Sequence, residues 1–204
     1  RKNFVLTYIP LSYFNDILLA NFQKEKLECT FSFIENYQTK SSQPTYHHMH
    51  IRLPHDPFIY DSEGNYLAYT IKSDDKDAYL QQLIFTEKKI LELVDVIQKK
   101  SPESVIIILS DHGFRSDIDW ENPSDDDLIR GFNVITAFYF PDRNLLINEK
   151  ISLVNVYRIF FNEYFDYNLD LLPDKHFWYN PSNPHIHYDV TEKLETRISH
   201  DIKN

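Results

Sequence analysis

The sequence predicts an α/β fold in which a mostly parallel sheet is flanked by helices. The run Val105–Leu109 contains five consecutive aliphatic residues, a pattern typical of a strand that is buried on both faces of a parallel sheet. A long amphipathic segment from about Asp75 to Lys100 precedes it, and a second apolar run, Val134–Phe140, follows. Alternating helices and buried strands indicate the α/β class.

Composition sets the limits of this prediction. A chain of 204 residues with 42% hydrophobic and 15% aromatic content fits one packed domain, or most of one, and argues against disorder. The net charge of −10 argues against nucleic acid as a partner. The single cysteine, Cys29, excludes an internal disulfide framework and a cysteine-based zinc site. With only three glycines, the chain has no glycine-rich phosphate loop.

The first part of the chain predicts two helices, one strand and a turn. The first helix places Phe14, Ile17, Leu18 and Phe22 on one face, and the second places Leu27, Phe31, Ile34 and Tyr37 on another. Residues 45–51 are predicted to form a strand, and the sequence of 61–65 predicts a turn.

The remaining elements follow from caps and apolar spacing. The helix from about Asp75 to Lys100 begins with acidic residues and ends before Pro102, with Tyr79, Leu83, Ile90, Val94 and Ile97 forming its apolar stripe. The acidic segment 117–127 is expected to be a solvated loop, because its spacing departs from that of a calcium-binding loop. Ser152 is expected to cap a last helix that turns Leu153, Val156, Tyr157, Phe160, Phe161, Tyr164 and Phe165 inward. Residues 174–204 are expected to be a surface tail.

Ser110-Asp111-His112-Gly113 directly follows the predicted strand 105–109. Ligand sites in open α/β sheets lie just beyond the carboxyl ends of the strands. A carboxylate beside an imidazole offers two ligands to a divalent cation, and Gly113 permits a tight turn. The alternative is that Asp111 only caps the next turn.

A second cluster of polar residues contains four histidines, His47, His48, His50 and His55. In a strand, His48 and His50 would share one face. His55 lies between Pro54 and Pro57, which restrict the backbone around it and suit a ring held in a fixed direction. Such a histidine can contact an anionic oxygen or donate a proton to a leaving group. The alternative is a strand with solvated histidines.

Together these segments resemble the sulfatase-like branch of the alkaline phosphatase superfamily, which includes membrane-anchored phosphoglycerol and phosphoethanolamine transferases. The matching segments cover roughly residues 44–180 in the family's order: 50–58 with 61–65, 79–83, 106–115, 133–142 and 151–158. The resemblance implies an alkaline-phosphatase-like fold that is incomplete here, with residues 1–204 as the C-terminal portion of a single domain.

The resemblance also implies roles for individual residues. Asp111 and His112 match the family's downstream metal ligands for one divalent ion, with Zn, Mn, Mg and Ca all open. His55 matches the histidine that contacts the sulfate or phosphate group and acts in catalysis, and His50 and Arg115 are further substrate-binding candidates. The nucleophile and the N-terminal metal ligand have no counterpart in this chain, so the missing N-terminal half of the domain is an expected partner. By resemblance, the parent protein is membrane-anchored and the domain extracytoplasmic.

Three classes of function stay open. The chain is part of a hydrolase or head-group transferase acting on a small sulfate or phosphate ester, an inactive relative that binds an anionic glycan or lipid head group, or a structural domain. Arg115 either clamps an anion or pairs with nearby acids. If the enzyme interpretation holds, the Asp111 and His112 side chains should lie within about 5 Å of one another. His55 should then lie within roughly 10 Å of His112.

Overall fold

The computed structural model describes most of the chain, namely residues 11–37, 43–71, 75–143, 145, 147, 148 and 150–201. The chain divides into two compact units, residues 1–104 and 105–204. Both units combine helices with short strand pairs, so the predicted mixed α/β class is confirmed at this level. None of the helices in these ranges is both long and apolar enough to cross a membrane.

Within the described part of the first unit lie two long helices and one strand pair: α1 (Leu11–Asn36), β1 (Phe58–Tyr60), β2 (Tyr66–Ile71) and α2 (Lys76–Lys100). β1 and β2 are antiparallel and are joined through the predicted turn at 61–65, where Gly64 has a φ of 81°. The core of this unit consists of Ala20, Leu27, Phe31, Ile34, Ile59, Tyr60 and Leu93.

α1 corrects the prediction of two separate helices. It is continuous, and the face that packs inward carries Ala20, Leu27 and Phe31. Leu18 and Phe22, predicted to point inward, are 52% and 53% exposed. A single helix turns only one stripe towards the core, and the later turns determine which stripe that is.

Residues 45–51, predicted to be a strand, have no regular secondary structure and belong to no strand pair in the described structure. Side chains nevertheless alternate at the end of this segment, where Met49, Ile51 and Leu53 pack against the core while His50 and Arg52 are exposed. A strand also needs hydrogen-bonded neighbours, which periodicity does not reveal.

The predicted helix 75–100 is confirmed as α2. Asp75 is its N-cap and accepts a hydrogen bond from the Ala78 backbone N at 2.9 Å. Its fully buried positions, however, are Ala78, Gln82, Thr86 and Leu93, about one residue before the predicted apolar stripe. Two polar side chains, Gln82 and Thr86, therefore point into the interior of the unit.

The described residues of the second unit form four strands and three helices: β3 (Ile106–Leu109), α3 (Asp125–Phe132), β4 (Thr136–Tyr139), α4 (Leu153–Phe165), β5 (Phe177–Asn180), β6 (Asn183–Asp189) and α5 (Thr191–Asp201). β3 and β4 confirm the strands predicted at 105–109 and 134–140. They pair antiparallel, with Ile106 opposite Tyr139 and Leu109 opposite Thr136.

All three strand pairs of the described residues are antiparallel, so the predicted parallel sheet is not formed by these strands. The side chains of β3 are also partly exposed rather than buried on both faces. A short apolar run indicates a strand, but it does not specify the direction of the neighbouring strand.

The segment predicted to be a surface tail is part of the second unit's core. β5, β6 and α5 follow Pro173, and Trp178, Val190 and Leu194 are buried with Ile118 and Leu128. The prediction failed because most other positions of the segment are polar and exposed, so its few buried residues were obscured by its average composition.

Two further expectations need correction. α4 begins after Ser152 as predicted and buries Val156, but Phe161 and Phe165 are 38% and 55% exposed rather than inward-facing. The acidic segment 117–127 is not wholly a solvated loop, since Ser124 caps α3 in a reciprocal capping box with Asp127.

Candidate functional site

The Ser110–Gly113 loop follows β3 and is fixed to the chain at both of its ends. Ser110 donates its backbone N–H to the Ile135 carbonyl at 2.9 Å, and its hydroxyl accepts from the Ile135 N–H at 2.9 Å. Gly113 donates its N–H to the Gly131 carbonyl at 2.9 Å. Asp111 and His112 lie between these anchors, so the backbone that carries them is held independently of their side chains.

Gly113 is required because two backbone segments approach each other closely. A Cβ atom added there would lie 2.1 Å from the Arg130 carbonyl oxygen and 2.6 Å from that of Asn133. Its φ is not in the left-handed region. The glycine is therefore needed for its close contact with the end of α3, which no larger residue allows, and not for the predicted tight turn.

Asp111 and His112 present two ligand atoms side by side. The Nε2 atom of His112 lies 3.7 Å from Oδ2 of Asp111, within the predicted 5 Å. The Asp111 side chain is 90% exposed, and that of His112 is 27% exposed. Among the described residues, Asp111 accepts no backbone hydrogen bond, so the alternative in which it caps the following turn has no support.

The orientation of the His112 ring suits a ligand. Its Nδ1 atom lies 2.7 Å from the Gly113 carbonyl oxygen, a distance that requires Nδ1 to carry the proton and donate. Nε2 then carries the lone pair on the side that faces Asp111. Metal-binding histidines commonly donate their second ring nitrogen to a carbonyl in this way.

The distance between the two ligand atoms also fits a cation. Two ligands about 2.1 Å from a zinc-sized ion lie about 3.4 Å apart at the tetrahedral angle, close to the observed 3.7 Å. No cluster of three or more potential ligands occurs among the residues that the structure describes. Asp111 and His112 are thus a pair that fits a divalent ion as part of its ligand set.

The His55 ring is held in the same way as the His112 ring. Nδ1 of His55 lies 2.7 Å from the Asp56 carbonyl oxygen and 2.7 Å from a carboxylate oxygen of Asp56. Both partners are acceptors, so Nδ1 donates, and the 3.4 Å approach of the Arg52 guanidinium to the same atom is not a hydrogen bond in this tautomer. Nε2 is therefore the acceptor nitrogen of a half-exposed ring.

Gln82 is the residue of this site that sequence reasoning missed. Its side chain is fully buried beneath the His55 loop. Oε1 accepts from the N–H groups of Ile59 and Tyr60 at 2.8 and 3.2 Å, and Nε2 donates to the carbonyls of Pro54 and His55 at 3.1 and 2.9 Å. The available signal was a glutamine at core-facing helical spacing, three residues after Tyr79.

Arg115 does not pair with the acidic residues of its loop in the described structure. Its guanidinium lies over the Trp120 ring, 5.5 Å from the ring centroid. Trp120 in turn stacks on the buried Trp178, with centroids 5.0 Å apart and the rings inclined by 24°. The indole N–H of Trp178 donates to the Trp120 carbonyl at 3.2 Å. The predicted pairing of Arg115 with acids is thus replaced by an aromatic stack.

His50 lies apart from these supporting contacts. It is exposed in segment 45–51 and, together with Cys29, Phe33 and Tyr46, lines an open groove of about 510 Å³ beside α1. It makes no hydrogen bond or ion pair with the other described residues. Its substrate-binding role stays a prediction, as does the expected 10 Å separation between His55 and His112.

The comparisons with known proteins leave the family resemblance untested. No family model, curated protein or solved structure matches the chain.

Proposed function

We propose that this chain is the C-terminal portion of a metal-dependent sulfatase-like hydrolase, or of a phosphoglycerol- or phosphoethanolamine-type transferase, acting on sulfate or phosphate esters. The observation that carries the proposal is the paired presentation of Asp111 Oδ2 and His112 Nε2, 3.7 Å apart. It is supported by the Gly113 carbonyl, which lies at hydrogen-bonding distance from Nδ1 of His112.

The donor set favours a divalent cation over the structural alternative. One hard carboxylate oxygen and one imidazole nitrogen suit zinc or manganese, with magnesium and calcium as weaker fits. When bound, such an ion would neutralise the equatorial oxygens of an ester and lower the pKa of an attacking hydroxyl. The role of this chain would be to hold the two ligands on a loop whose backbone is already fixed.

Two further residues would contact the substrate. Nε2 of His55 would carry a proton in the imidazolium form and donate it to an ester oxygen, with the ring direction fixed through Asp56. Arg115 would contribute a guanidinium that the Trp120 ring already orients, so less side-chain entropy would be lost on anion binding. A planar guanidinium stacked on an aromatic ring keeps its N–H edge available for oxyanions.

The finer fold is part of the same proposal. β3 and the Ser110–Gly113 loop would belong to a mostly parallel, alkaline-phosphatase-like sheet whose other strands come from the upstream half of the domain. That half would also supply the nucleophile and the third metal ligand. The isolated chain is therefore expected to show no turnover of aryl sulfate or aryl phosphate esters with added zinc or manganese. If the isolated chain did turn over such an ester, and Asp111→Ala abolished that turnover, the upstream half would not be needed for catalysis and the proposal would be contradicted.

The test of the metal site is a titration of the whole chain with Mn²⁺, followed by paramagnetic broadening of backbone amide resonances. Broadening is expected to begin at Asp111 and His112. Asp111→Asn and His112→Gln should each weaken the apparent affinity at least about tenfold, because each removes one of two ligands.

The matched control is Asp125→Asn, which removes an exposed carboxylate of the same unit outside the proposed site. It should leave the affinity at Asp111 unchanged. Broadening that is centred on residues 117–127 instead, or that is insensitive to Asp111→Asn, would show only diffuse attraction to acidic residues and would overturn the proposal.

The second candidate function is an inactive relative that binds an anionic glycan or lipid head group. The Arg115 guanidinium stacked on Trp120 favours this function, since a contact between Arg115 and an anion would require neither a nucleophile nor a metal. Inorganic sulfate titrated without metal separates the two functions: loss of binding in Arg115→Ala together with absence of Mn²⁺ broadening at Asp111 would favour the binding protein.

A further inference from the structure

The side-chain amide of Gln82 uses its full hydrogen-bonding capacity on one short loop. A glutamine amide offers two donors and two acceptor positions, and all four are used at Pro54, His55, Ile59 and Tyr60. Backbone N–H groups face one end of this amide and carbonyls face the other, so the identity of its oxygen and nitrogen is unambiguous. Full burial makes each of these bonds costly to lose.

The two donor contacts have a specific consequence for His55. The carbonyls of Pro54 and His55 belong to the two peptide planes that flank the His55 Cα atom. Fixing both planes fixes φ and ψ of this residue, and thereby the direction of its Cα–Cβ bond. The same pair of NH₂ hydrogens performs both tasks, at 3.1 and 2.9 Å.

The ring itself is then fixed by the next peptide. Nδ1 of His55 donates to the Asp56 carbonyl at 2.7 Å, and that carbonyl lies in the same short segment. Nδ1 also lies 2.7 Å from the Asp56 carboxylate. Both contacts of the half-exposed ring are made to the residue that follows His55, so the ring direction depends on how this segment is placed. Gln82, in turn, is held on α2, where its carbonyl accepts the Thr86 hydroxyl at 2.6 Å.

We propose that Gln82 is a positioning residue that sets the direction and tautomer of the His55 ring through the backbone of Pro54 and His55. The proposal deepens the proposed function and rests on it only for the meaning of that direction, namely donation from the Nε2–H of a protonated His55 ring to a sulfate or phosphate oxygen. The geometric part stands without a substrate.

Gln81 provides a matched control. It is the neighbouring residue of α2 and also accepts a hydrogen bond from a loop backbone, that of Ser62 at 3.2 Å. Gln81 is exposed, however, and its contact lies outside the His55 loop. Replacing either glutamine by leucine changes helix propensity equally.

The experiment records long-range ¹H–¹⁵N spectra of the histidine rings in the whole chain, with His55 assigned by His55→Gln. In the unaltered protein, His55 should show the single tautomer with the proton on Nδ1. Gln82→Leu should shift the tautomer populations of His55 towards those of free imidazole. It should also reduce any phosphate-induced change in the His55 ring resonances at least about threefold. Gln81→Leu should change neither.

Gln82→Glu separates the effect on the His55 ring from an effect on folding. Its oxygens still accept from Ile59 and Tyr60, but the NH₂ donors to Pro54 and His55 are gone. The β1 amide resonances should therefore stay in place while the His55 ring signals move. Far-UV circular dichroism establishes that both variants are folded.

The outcomes distinguish the two proposals. A His55 tautomer unchanged in folded Gln82→Glu overturns the positioning role. A tautomer that changes in the Gln82 variants, while His55 in the unaltered protein ignores added phosphate and sulfate, upholds the positioning role and removes the substrate contact from the proposed function.

Discussion

The two histidine loops present the same chemical group and are supported in opposite ways. His55 and His112 each place Nδ1 2.7 Å from the carbonyl oxygen of the following residue, leaving Nε2 as the acceptor nitrogen. Beneath His55 the support is a side chain, the buried amide of Gln82. Around His112 the support is backbone, because Gly113 lies against the carbonyls at the end of α3.

This difference determines where each loop is vulnerable. One substitution at Gln82, on a helix distant in sequence, would remove the side-chain support of the His55 loop. A residue of similar shape at this position would restore part of that support. A backbone contact can be changed only by substituting the glycine itself, here Gly113. Any side-chain atom added to Gly113 would force α3 or the loop to move. The Ser110–Gly113 loop should therefore tolerate changes of its polar side chains far better than changes at Gly113.

The largest expected effect is that of Gly113→Ala. The new Cβ would lie 2.1 Å from the Arg130 carbonyl oxygen, a backbone atom that cannot rotate away. We expect a loss of about 3 kcal/mol or more in the free energy of unfolding of the second unit. Both tryptophans, Trp120 and Trp178, lie in this unit, so denaturant unfolding followed by their fluorescence measures it directly.

Gly131→Ala is the control for this substitution. The nearest atom to its added Cβ belongs to the Trp178 side chain at 3.4 Å, an ordinary contact, and Gly131 is helical. Its stability should stay within about 1 kcal/mol of the unaltered protein. Equal losses of stability in Gly113→Ala and Gly131→Ala would mean that the close contact of Gly113 with the Arg130 and Asn133 carbonyls does not support the loop.

The two loops also differ in how far the sequence predicted them. The Asp111-His112-Gly113 motif is local, since a strand, two ligands and a glycine occur together, and the side-chain geometry agreed with the pattern. The support of His55 is not local: Gln82 lies 27 residues later, beyond both β1 and β2. A hydrogen bond to a backbone carbonyl also leaves no residue-type signature at the accepting end.

The fold shows the same limit. Periodicity predicted α2 and the strands β3 and β4, because each depends on its own residues. It did not predict that β3 and β4 pair antiparallel, since pairing depends on a connection through α3. It missed the buried hairpin of β5 and β6, where the single indole of Trp178 provides much of the burial.

A smaller, pH-dependent effect is expected at α3, the helix that supports the second loop. Hydrogen bonds from Ser124, together with the Arg130 guanidinium, hold the pKa of the Asp127 carboxyl below its usual value. A lowered pKa in the folded state means that this stabilisation is present above the unfolded pKa and is lost as the pH falls through the folded pKa. Asp127→Asn should cost about 1–2 kcal/mol at pH 7, and the difference should shrink below about pH 4.

The control is again Asp125→Asn, which removes an exposed acid from the same helical turn. It should cost about 0.5 kcal/mol or less, through the helix dipole alone. Denaturant unfolding at several pH values, followed by tryptophan fluorescence, gives both curves. A difference between the Asp127 variant and the unaltered protein that grows as the pH falls would contradict the sign of the pKa shift.

The smallest effect on stability is expected where the largest effect on ligand binding is proposed. The Asp111 side chain is 90% exposed, and the loop that carries it is held by Ser110 and Gly113. Asp111→Asn should therefore change the free energy of unfolding by no more than about 0.5 kcal/mol. The same substitution should weaken the apparent affinity for the Mn²⁺ that broadens His112 at least about tenfold, because one of the two ligands is lost. A substantial loss of stability in Asp111→Asn without metal would make this carboxylate a structural group, and the contrast between a backbone-supported loop and its outward-facing side chains would fail.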